Sequence, residues 1–136
     1  MDDLTSRWAR LLLACAVAAG VVVALAGCSS GPPAYCTNRT NLENSVKGLN
    51  VSSGVSGLKS QVDKIQSDAS AVVSSAKSDF PSETSAITTS VDALKSSVAG
   101  LSSSPSAGQI ATVTKDAANV VSSVKSFMDA SNSKCS

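Results

Sequence analysis

Three long stretches of this chain place apolar residues alternately three and four positions apart, the spacing that puts them on one face of an α-helix. The stretches cover residues 51–76, 84–101 and 110–127. Pro81 separates the first from the second, because the residue before a proline is disfavoured in the helical conformation. A Gly-Ser-Pro segment around Pro105 separates the second from the third. No strand-like alternation accompanies them, so they predict an all-α fold. The apolar stripes are Val51, Val55, Leu58, Val62, Ile65, Ala69, Val72 and Ala76; Thr84, Ile87, Val91, Leu94, Val98 and Leu101; and Ile110, Val113, Ala117, Val120, Val124 and Phe127.

A shorter helix is predicted before the first stripe. Residues Thr40–Glu43 match a capping box, in which the Thr and Glu side chains satisfy free backbone amides of the first turn. Apolar residues then recur at helical spacing as far as Leu49. Glycines within residues 48–57 and a break in the apolar register predict a turn near residues 49–52. A second capping box, Ser106–Gln109, precedes the last stripe.

Stripes of this kind form either coiled coils between chains or a bundle within one chain. The flanking positions are mostly Ser, Ala and Thr rather than the Glu and Lys that pair the helices of a coiled coil. Short breaks between helices favour antiparallel packing of the chain on itself. We therefore predict a monomeric, small antiparallel helical bundle over residues 36–136, with one short helix and three longer ones. Its core of Val and Ala is thin, so a covalent staple is expected.

The amino-terminal region has the layout of an export signal. Residues 11–27 carry no charge, and Arg7 and Arg10 precede them. A short basic lead, an apolar run and small residues at its end are typical of a secretory signal. A single membrane-spanning helix is the alternative, because the run lies near the lower limit of ~17 residues for crossing a bilayer.

The end of the apolar run, Leu25-Ala26-Gly27-Cys28, resembles the lipobox of bacterial lipoproteins. The resemblance implies that residues 1–27 are a cleaved signal peptide and that the Cys28 thiol takes a diacylglyceryl group. Residues 28–35 then form the lipidated cysteine and a short tether. Two acyl chains anchor a protein stably, so the resemblance places the protein on the extracytoplasmic face of the cell membrane. An uncleaved span and an ordinary secretory signal are the alternatives.

Cys36 and Cys135 are the cysteines that remain for the fold once Cys28 is acylated. Export places them where disulfides persist, and a bond between them would close a loop of about 100 residues. It also requires the short first helix to fold back antiparallel to the second. Two free thiols and an intermolecular bridge through Cys135 are the alternatives, and a Cys28–Cys36 bond would require an unlipidated Cys28.

Several classes of function have no residues to support them. The chain has no His, the usual general base and the commonest transition-metal ligand. It has no phosphate-binding glycine loop and no nucleophile elbow. The carboxylate pairs Asp63 with Asp68 and Asp79 with Glu83 are better explained as solvated helix faces. A formal net charge of +1 without a basic block does not favour nucleic acid. We predict no enzyme activity, no catalytic or metal-binding residue and no cofactor.

The whole pattern resembles small helical lipoproteins and secreted proteins of actinobacteria, a group with no established activity. The shared features are the lipobox, a short helix after a Cys, a glycine-rich break, Val/Ala/Ser-rich helices and a Cys near the end. The start LAGCSS is also similar to murein lipoprotein of Gram-negative outer membranes. This chain departs from it through prolines and glycines that interrupt the repeats, two additional cysteines and a Cys-Ser ending in place of the terminal Lys. That function is therefore not carried over.

Two functional hypotheses follow from this organisation. The first is a non-catalytic, lipid-anchored protein of the cell envelope that presents a Ser-rich surface to a partner protein or to the cell wall. The second is a binding module that holds an apolar small molecule or a lipid between its helices.

Overall fold

The computed structural model describes residues 31–136. This part of the chain forms four α-helices: α1 spans Ala34–Lys47, α2 Gly54–Ala76, α3 Pro81–Ala99 and α4 Ala107–Cys135. A 3₁₀ turn, Val51–Ser53, leads into α2. The described part contains no strand, and the all-α prediction is confirmed.

The helices form a closed ring, in which each packs on its neighbours in the chain and α1 also packs against α4. The connections are short, so consecutive helices are antiparallel. Side-chain contacts give the register of α1, because Asn38 donates to the carbonyl of Ala71 on α2 while Arg39 donates to that of Met128 on α4. With lengths of 14, 23, 19 and 29 residues, the bundle has the predicted short helix and three longer ones.

One face of each helix fills the interior between them. The stripes predicted from the spacing are buried in α2, α3 and α4, with two kinds of exception. Val51 lies before α2 and is 36 % exposed, and Val55, Ile110 and Ala117 are only partly buried. The buried apolar residues are Tyr35, Leu42, Val46, Leu58, Val62, Ile65, Ala69, Val72, Ala76, Ile87, Val91, Leu94, Val98, Leu101, Val113, Val120, Val124 and Phe127.

The predicted turn between the first two helices is present and ends at a glycine. α1 ends at Lys47, and the side chain of Asn50 accepts a hydrogen bond from the backbone amide of Ser52. Gly54 has a φ of 79°, a conformation that glycine adopts without the steric cost that other residues meet. The chain can therefore reverse here and start α2 antiparallel to α1.

The two later helix starts also follow the sequence. Pro81 is the first residue of α3, where its missing N–H costs no hydrogen bond. The capping box at Ser106 is confirmed: the amide of Gln109 donates to Ser106 Oγ at 3.2 Å, and the amide of Ser106 donates to Gln109 Oε1 at 3.0 Å.

The predicted capping box at Thr40–Glu43 is wrong. These residues lie inside α1, which begins six positions earlier, at Ala34. Thr40 Oγ1 donates to the carbonyl of Cys36 one turn back, as hydroxyl side chains inside helices commonly do. Glu43 pairs with Lys47 along the helix.

The early start of α1 moves the boundary between tether and bundle. Pro33 lies directly before the first residue of α1. Proline is well tolerated at the start of a helix. Tyr35, which the sequence analysis assigns to the tether, lies in the first turn of α1 and is only 2 % exposed. The folded unit thus includes residues 34 and 35 as well as the predicted 36–136.

Candidate functional site: the seam between α1 and α4

A disulfide closes one end of the seam between α1 and α4. Cys36 in the first turn of α1 and Cys135 at the end of α4 are bonded, with their Cα atoms 5.5 Å apart. This is the pair that the sequence analysis proposes. Both cysteines are half-buried and pack against the core. Because the bonded residues are 99 positions apart, the bond ties the two ends of the folded unit together.

Three aromatic rings pack on one another at the same end of the bundle. Tyr35 from α1, Phe80 from the α2–α3 connection and Phe127 from α4 meet edge to face, with centroids 5.5 to 6.2 Å apart. Such ring pairs stabilise a protein by more than the burial of their apolar area alone. Phe127 belongs to a predicted stripe, whereas the sequence predicts no packing role for the other two. The cluster joins three separate segments beside the disulfide.

The hydroxyl of Tyr35 is buried within this cluster. It lies near Asp79 but makes no hydrogen bond of standard geometry to any residue in 31–136. Burial raises the pKa of Tyr35 above its ordinary value of 10.0, and the negative charge of Asp79 raises it further, while the cation Arg39 acts in the opposite direction. The neutral phenol is therefore favoured in the folded protein.

We expect the bundle to lose stability as the solution becomes strongly alkaline. The folded-state pKa of Tyr35 is raised. The stability that the neutral phenol contributes is therefore fully present below pH 10.0 and is lost as the pH rises through the folded-state pKa. Urea denaturation across this range, compared with the Tyr35→Phe variant, measures the effect. We expect the free energy of unfolding to fall more steeply with pH in the wild type than in the Tyr35→Phe variant. Identical pH dependence in the two proteins would contradict this assignment.

Arg39 crosses the seam from α1 to α4. Its Nη1 donates to the carbonyl of Met128 at 3.1 Å and to Ser131 Oγ at 2.8 Å. Ser131 is itself fully buried and donates to the carbonyl of Phe127. The Nε of Arg39 is buried and has no hydrogen-bond acceptor among residues 31–136. Arg39 also forms no ion pair with any carboxylate of that range.

A groove of about 410 Å³ follows the outer side of the seam. Its floor is apolar, and it includes Val121, whose side chain belongs to none of the predicted stripes and is 51 % exposed. The charged side chains at its rim neutralise one another, because each helix pairs its own cation and anion four residues apart. The residues lining the groove are Glu43, Val46 and Lys47 from α1 and Val121, Val124, Lys125, Met128 and Asp129 from α4.

A second, hydroxyl-rich depression of about 590 Å³ lies between α3 and α4. Its lining side chains are small and uncharged, in keeping with the prominence of Ser outside the core. They are Ser82, Ser85, Ala86, Thr89, Ser90, Ala93, Asn119, Ser122 and Ser123.

The carboxylate pairs considered in the sequence form no shared site. Asp63 and Asp79 are exposed, and Asp68 accepts hydrogen bonds from Ser45 of α1 and Lys64 of its own helix. Within residues 31–136, no three side chains of His, Cys, Asp or Glu are grouped so as to hold a metal ion.

The predicted signal peptide, residues 1–27, and the predicted lipidation site, Cys28, lie outside the described residues. Both stay predictions from the sequence. In the described part, no helix combines the length and the hydropathy needed to cross a membrane.

Comparisons of the chain with protein-family models, with curated proteins and with solved structures found no match. The candidate site therefore rests on the geometry of the seam. Sequence reasoning missed Arg39 and Val121, and each carries a signal in retrospect. Arg39 is the sole arginine after residue 28, and Val121 adds an apolar residue beside the stripe position Val120.

Proposed function

We propose that the protein is a lipid-anchored, non-catalytic component of a bacterial cell envelope, a disulfide-closed bundle that presents a surface to an envelope partner. The observation that carries the proposal is the lipobox-like Leu25–Cys28 followed almost at once by the bundle. α1 begins at Ala34, six residues after the lipidation site, so the connection spans at most ~20 Å.

A connection this short would orient the bundle relative to the lipid headgroups. The disulfide end, where α1 starts, would lie near the membrane. The α4 helix has 29 residues and is therefore ~44 Å long, so the opposite end would extend well away from it. That end carries the connections 48–53 and 100–106, which are rich in Ser and Gly, and a partner would meet these connections and the flanks of the bundle.

The groove favours a second candidate function, the binding of an apolar molecule. The sequence hypothesis placed such a ligand between the helices, but large side chains such as Leu42, Ile65 and Phe127, all fully buried, occupy that interior. The apolar groove on the outer side of the α1–α4 seam is the alternative location. Its volume falls in the range of ~300–1,000 Å³ that is usual for small-molecule sites.

The Cys28→Ala variant tests the anchored envelope role. In cells fed an alkyne-bearing palmitate, we expect the wild type to be lipid-labelled and shortened by removal of residues 1–27. The variant should be unlabelled and uncleaved by the lipoprotein peptidase, because that enzyme acts on the acylated precursor. Cys15→Ala, a cysteine inside the apolar run, is the matched control and should be processed normally.

The same strains test the partner. Chemical crosslinking in intact cells should give a defined adduct with the wild type and with Cys15→Ala, and the adduct should be lost with Cys28→Ala because the bundle no longer reaches its place in the envelope. Normal labelling and cleavage of Cys28→Ala would overturn the anchor. Recovery of the wild type only at monomer size would overturn the partner role.

A further inference from the structure

We propose that the groove along the α1–α4 seam binds a single-chain anionic amphiphile, a long-chain fatty acid, with the carboxylate at Arg39 and the alkyl chain along the apolar floor. The inference goes beyond the envelope role and does not depend on whether Cys28 is acylated. It rests on the polarity of the floor, on the charges at its rim and on the position of Arg39.

The floor of the groove suits an alkyl chain. Val46 of α1 and Val121, Val124 and Met128 of α4 line it. Val121 is half exposed, so part of its apolar surface is open to solvent. Covering that surface is favourable in proportion to the apolar area removed from water. Met128 adds a flexible side chain that adapts to the shape of a ligand.

One cation without an ion-pair partner among the described residues, Arg39, lies beside the groove. Glu43 pairs with Lys47, and Lys125 pairs with Asp129, so these four contribute no net charge. Arg39 has no carboxylate partner in residues 31–136. Arg39 therefore brings a positive charge to the seam, which complements an anionic head better than a neutral or a cationic one.

The position of Arg39 sets the direction in which the fatty acid would lie along the seam. Residues 39, 43 and 47 follow one another at intervals of four, so they share a face of α1. Arg39 therefore stands one turn beyond Glu43, at the disulfide end of the groove, and its guanidinium reaches the carbonyl of Met128. A carboxylate at Arg39 would direct its chain past Met128 toward Val121, along ~12 Å of α1.

Hydrogen bonding also favours a carboxylate at this place. The Nε of Arg39 is enclosed by protein atoms, so a carboxylate would meet the terminal nitrogens of the guanidinium, of which Nη1 already donates to Met128 and Ser131. A carboxylate offers two oxygens to the fork of a guanidinium, which gives the strongest of the ordinary hydrogen-bonded pairs. Arg39 is only partly buried, so a ligand can approach its side chain.

The test uses the full chain in isolated, detergent-free membranes that lack ATP and coenzyme A, so that a fatty acid is not metabolised. The probe is a C16 fatty acid that carries a photoactivatable diazirine, and the comparison probe is the corresponding C16 alcohol. After irradiation, the purified protein is digested and the labelled residues are located by mass spectrometry. We expect the acid to label Val121, Met128 and their neighbours on the seam, and to leave the hydroxyl-rich depression between α3 and α4 unlabelled.

Three variants separate specific binding from general insertion into lipid. Val121→Glu places a carboxylate at a half-exposed position of the floor, where the fold tolerates it, and should abolish labelling by the acid. Ala118→Glu introduces the same charge at an exposed position of α4 outside the groove and should label like the wild type. Arg39→Gln should reduce labelling by the acid about tenfold, the equivalent of one lost charged hydrogen-bond pair. The alcohol should label the wild type only weakly, and Arg39→Gln should not change that labelling.

Circular dichroism of each variant establishes that the bundle is intact. The proposal is overturned by equal labelling with acid and alcohol, by label spread over all faces of the bundle, or by wild-type labelling of Val121→Glu. A crosslink between two copies through the groove would show a second chain as its occupant and would also overturn it. None of these outcomes alters the processing of Cys28, so failure here is distinguishable from failure of the envelope role.

Discussion

Replacing Cys36 and Cys135 together with alanine is expected to lower the free energy of unfolding by about 2–5 kcal/mol, the usual range for loss of a native disulfide from a small domain. The bond joins residues 99 positions apart. Its removal therefore releases nearly the whole folded chain into a more open unfolded state. A bundle with a core of mostly small apolar side chains has little stability in reserve, since single domains are stable by only ~5–15 kcal/mol.

In the double variant, local loss of structure should begin at α1. This helix has 14 residues, close to the length at which an isolated helix is marginal in water, and the flexible segment 48–53 joins it to α2. Without the disulfide, α1 keeps only its packing on α2 and α4. We therefore expect amides of α1 to exchange with deuterium faster in the double variant, while those of α2 and α3 stay protected until global unfolding.

Urea denaturation and hydrogen exchange of the wild type and the double variant measure both effects. The matched control is a reducing agent, which should destabilise the wild type by a similar amount and leave the double variant unchanged. Equal denaturation midpoints for the two proteins, or uniform loss of protection in all four helices, would contradict the proposed role of the disulfide.

The helical faces could be read from the sequence because the periodic signal is local and repeated. Each of the three long stripes spans at least five turns, so one misplaced residue does not hide the pattern. The break at 49–52 and the cap at Ser106 could also be predicted, because glycine disfavours a continuous helix and Ser-x-x-Gln favours a helix start, and both signals act within a few residues. These features together determine the number and the order of the helices.

The start of α1 was misplaced because two local signals competed. Thr40–Glu43 has the spacing of a capping box, whereas the prolines at 32 and 33 suggested an extended tether. Proline is also favoured at a helix start. In this protein α1 starts directly after the prolines, because the earlier start buries Tyr35 against Phe80 and Phe127. The decisive contacts are long-range, so no local pattern reveals them.

The groove was beyond sequence reasoning for the same reason. It exists only where α1 lies beside α4, and the hydrogen bonds that fix this register join residues 89 and 92 positions apart. The disulfide, which brings the two helices together, is predicted from the sequence. Local patterns do not show which outward-facing side chains then meet, and Arg39 and Val121 are such side chains.

Truncation of Phe127 to alanine is the substitution in the core with the largest expected effect, a loss of about 3–5 kcal/mol in the free energy of unfolding. The ring is fully buried and contacts both other rings of the aromatic cluster. Its removal leaves a cavity where α1, α4 and the α2–α3 connection meet. Val121→Ala, a half-exposed position of the same helix, is the matched control and should change stability by less than ~0.5 kcal/mol.

The effect of Phe127→Ala should depend on the disulfide, because Phe127 packs on Tyr35 and the bond holds the first turn of α1 in place. With Cys36 and Cys135 replaced, α1 is partly released and Tyr35 no longer covers the ring. The loss caused by Phe127→Ala should then be smaller by about 0.5–1.5 kcal/mol, the usual worth of an aromatic contact. A double-mutant cycle of urea denaturation curves measures this coupling. If Phe127→Ala lowers the free energy of unfolding equally with and without the disulfide, α1 stays packed without the bond. The disulfide would then act on the unfolded chain alone.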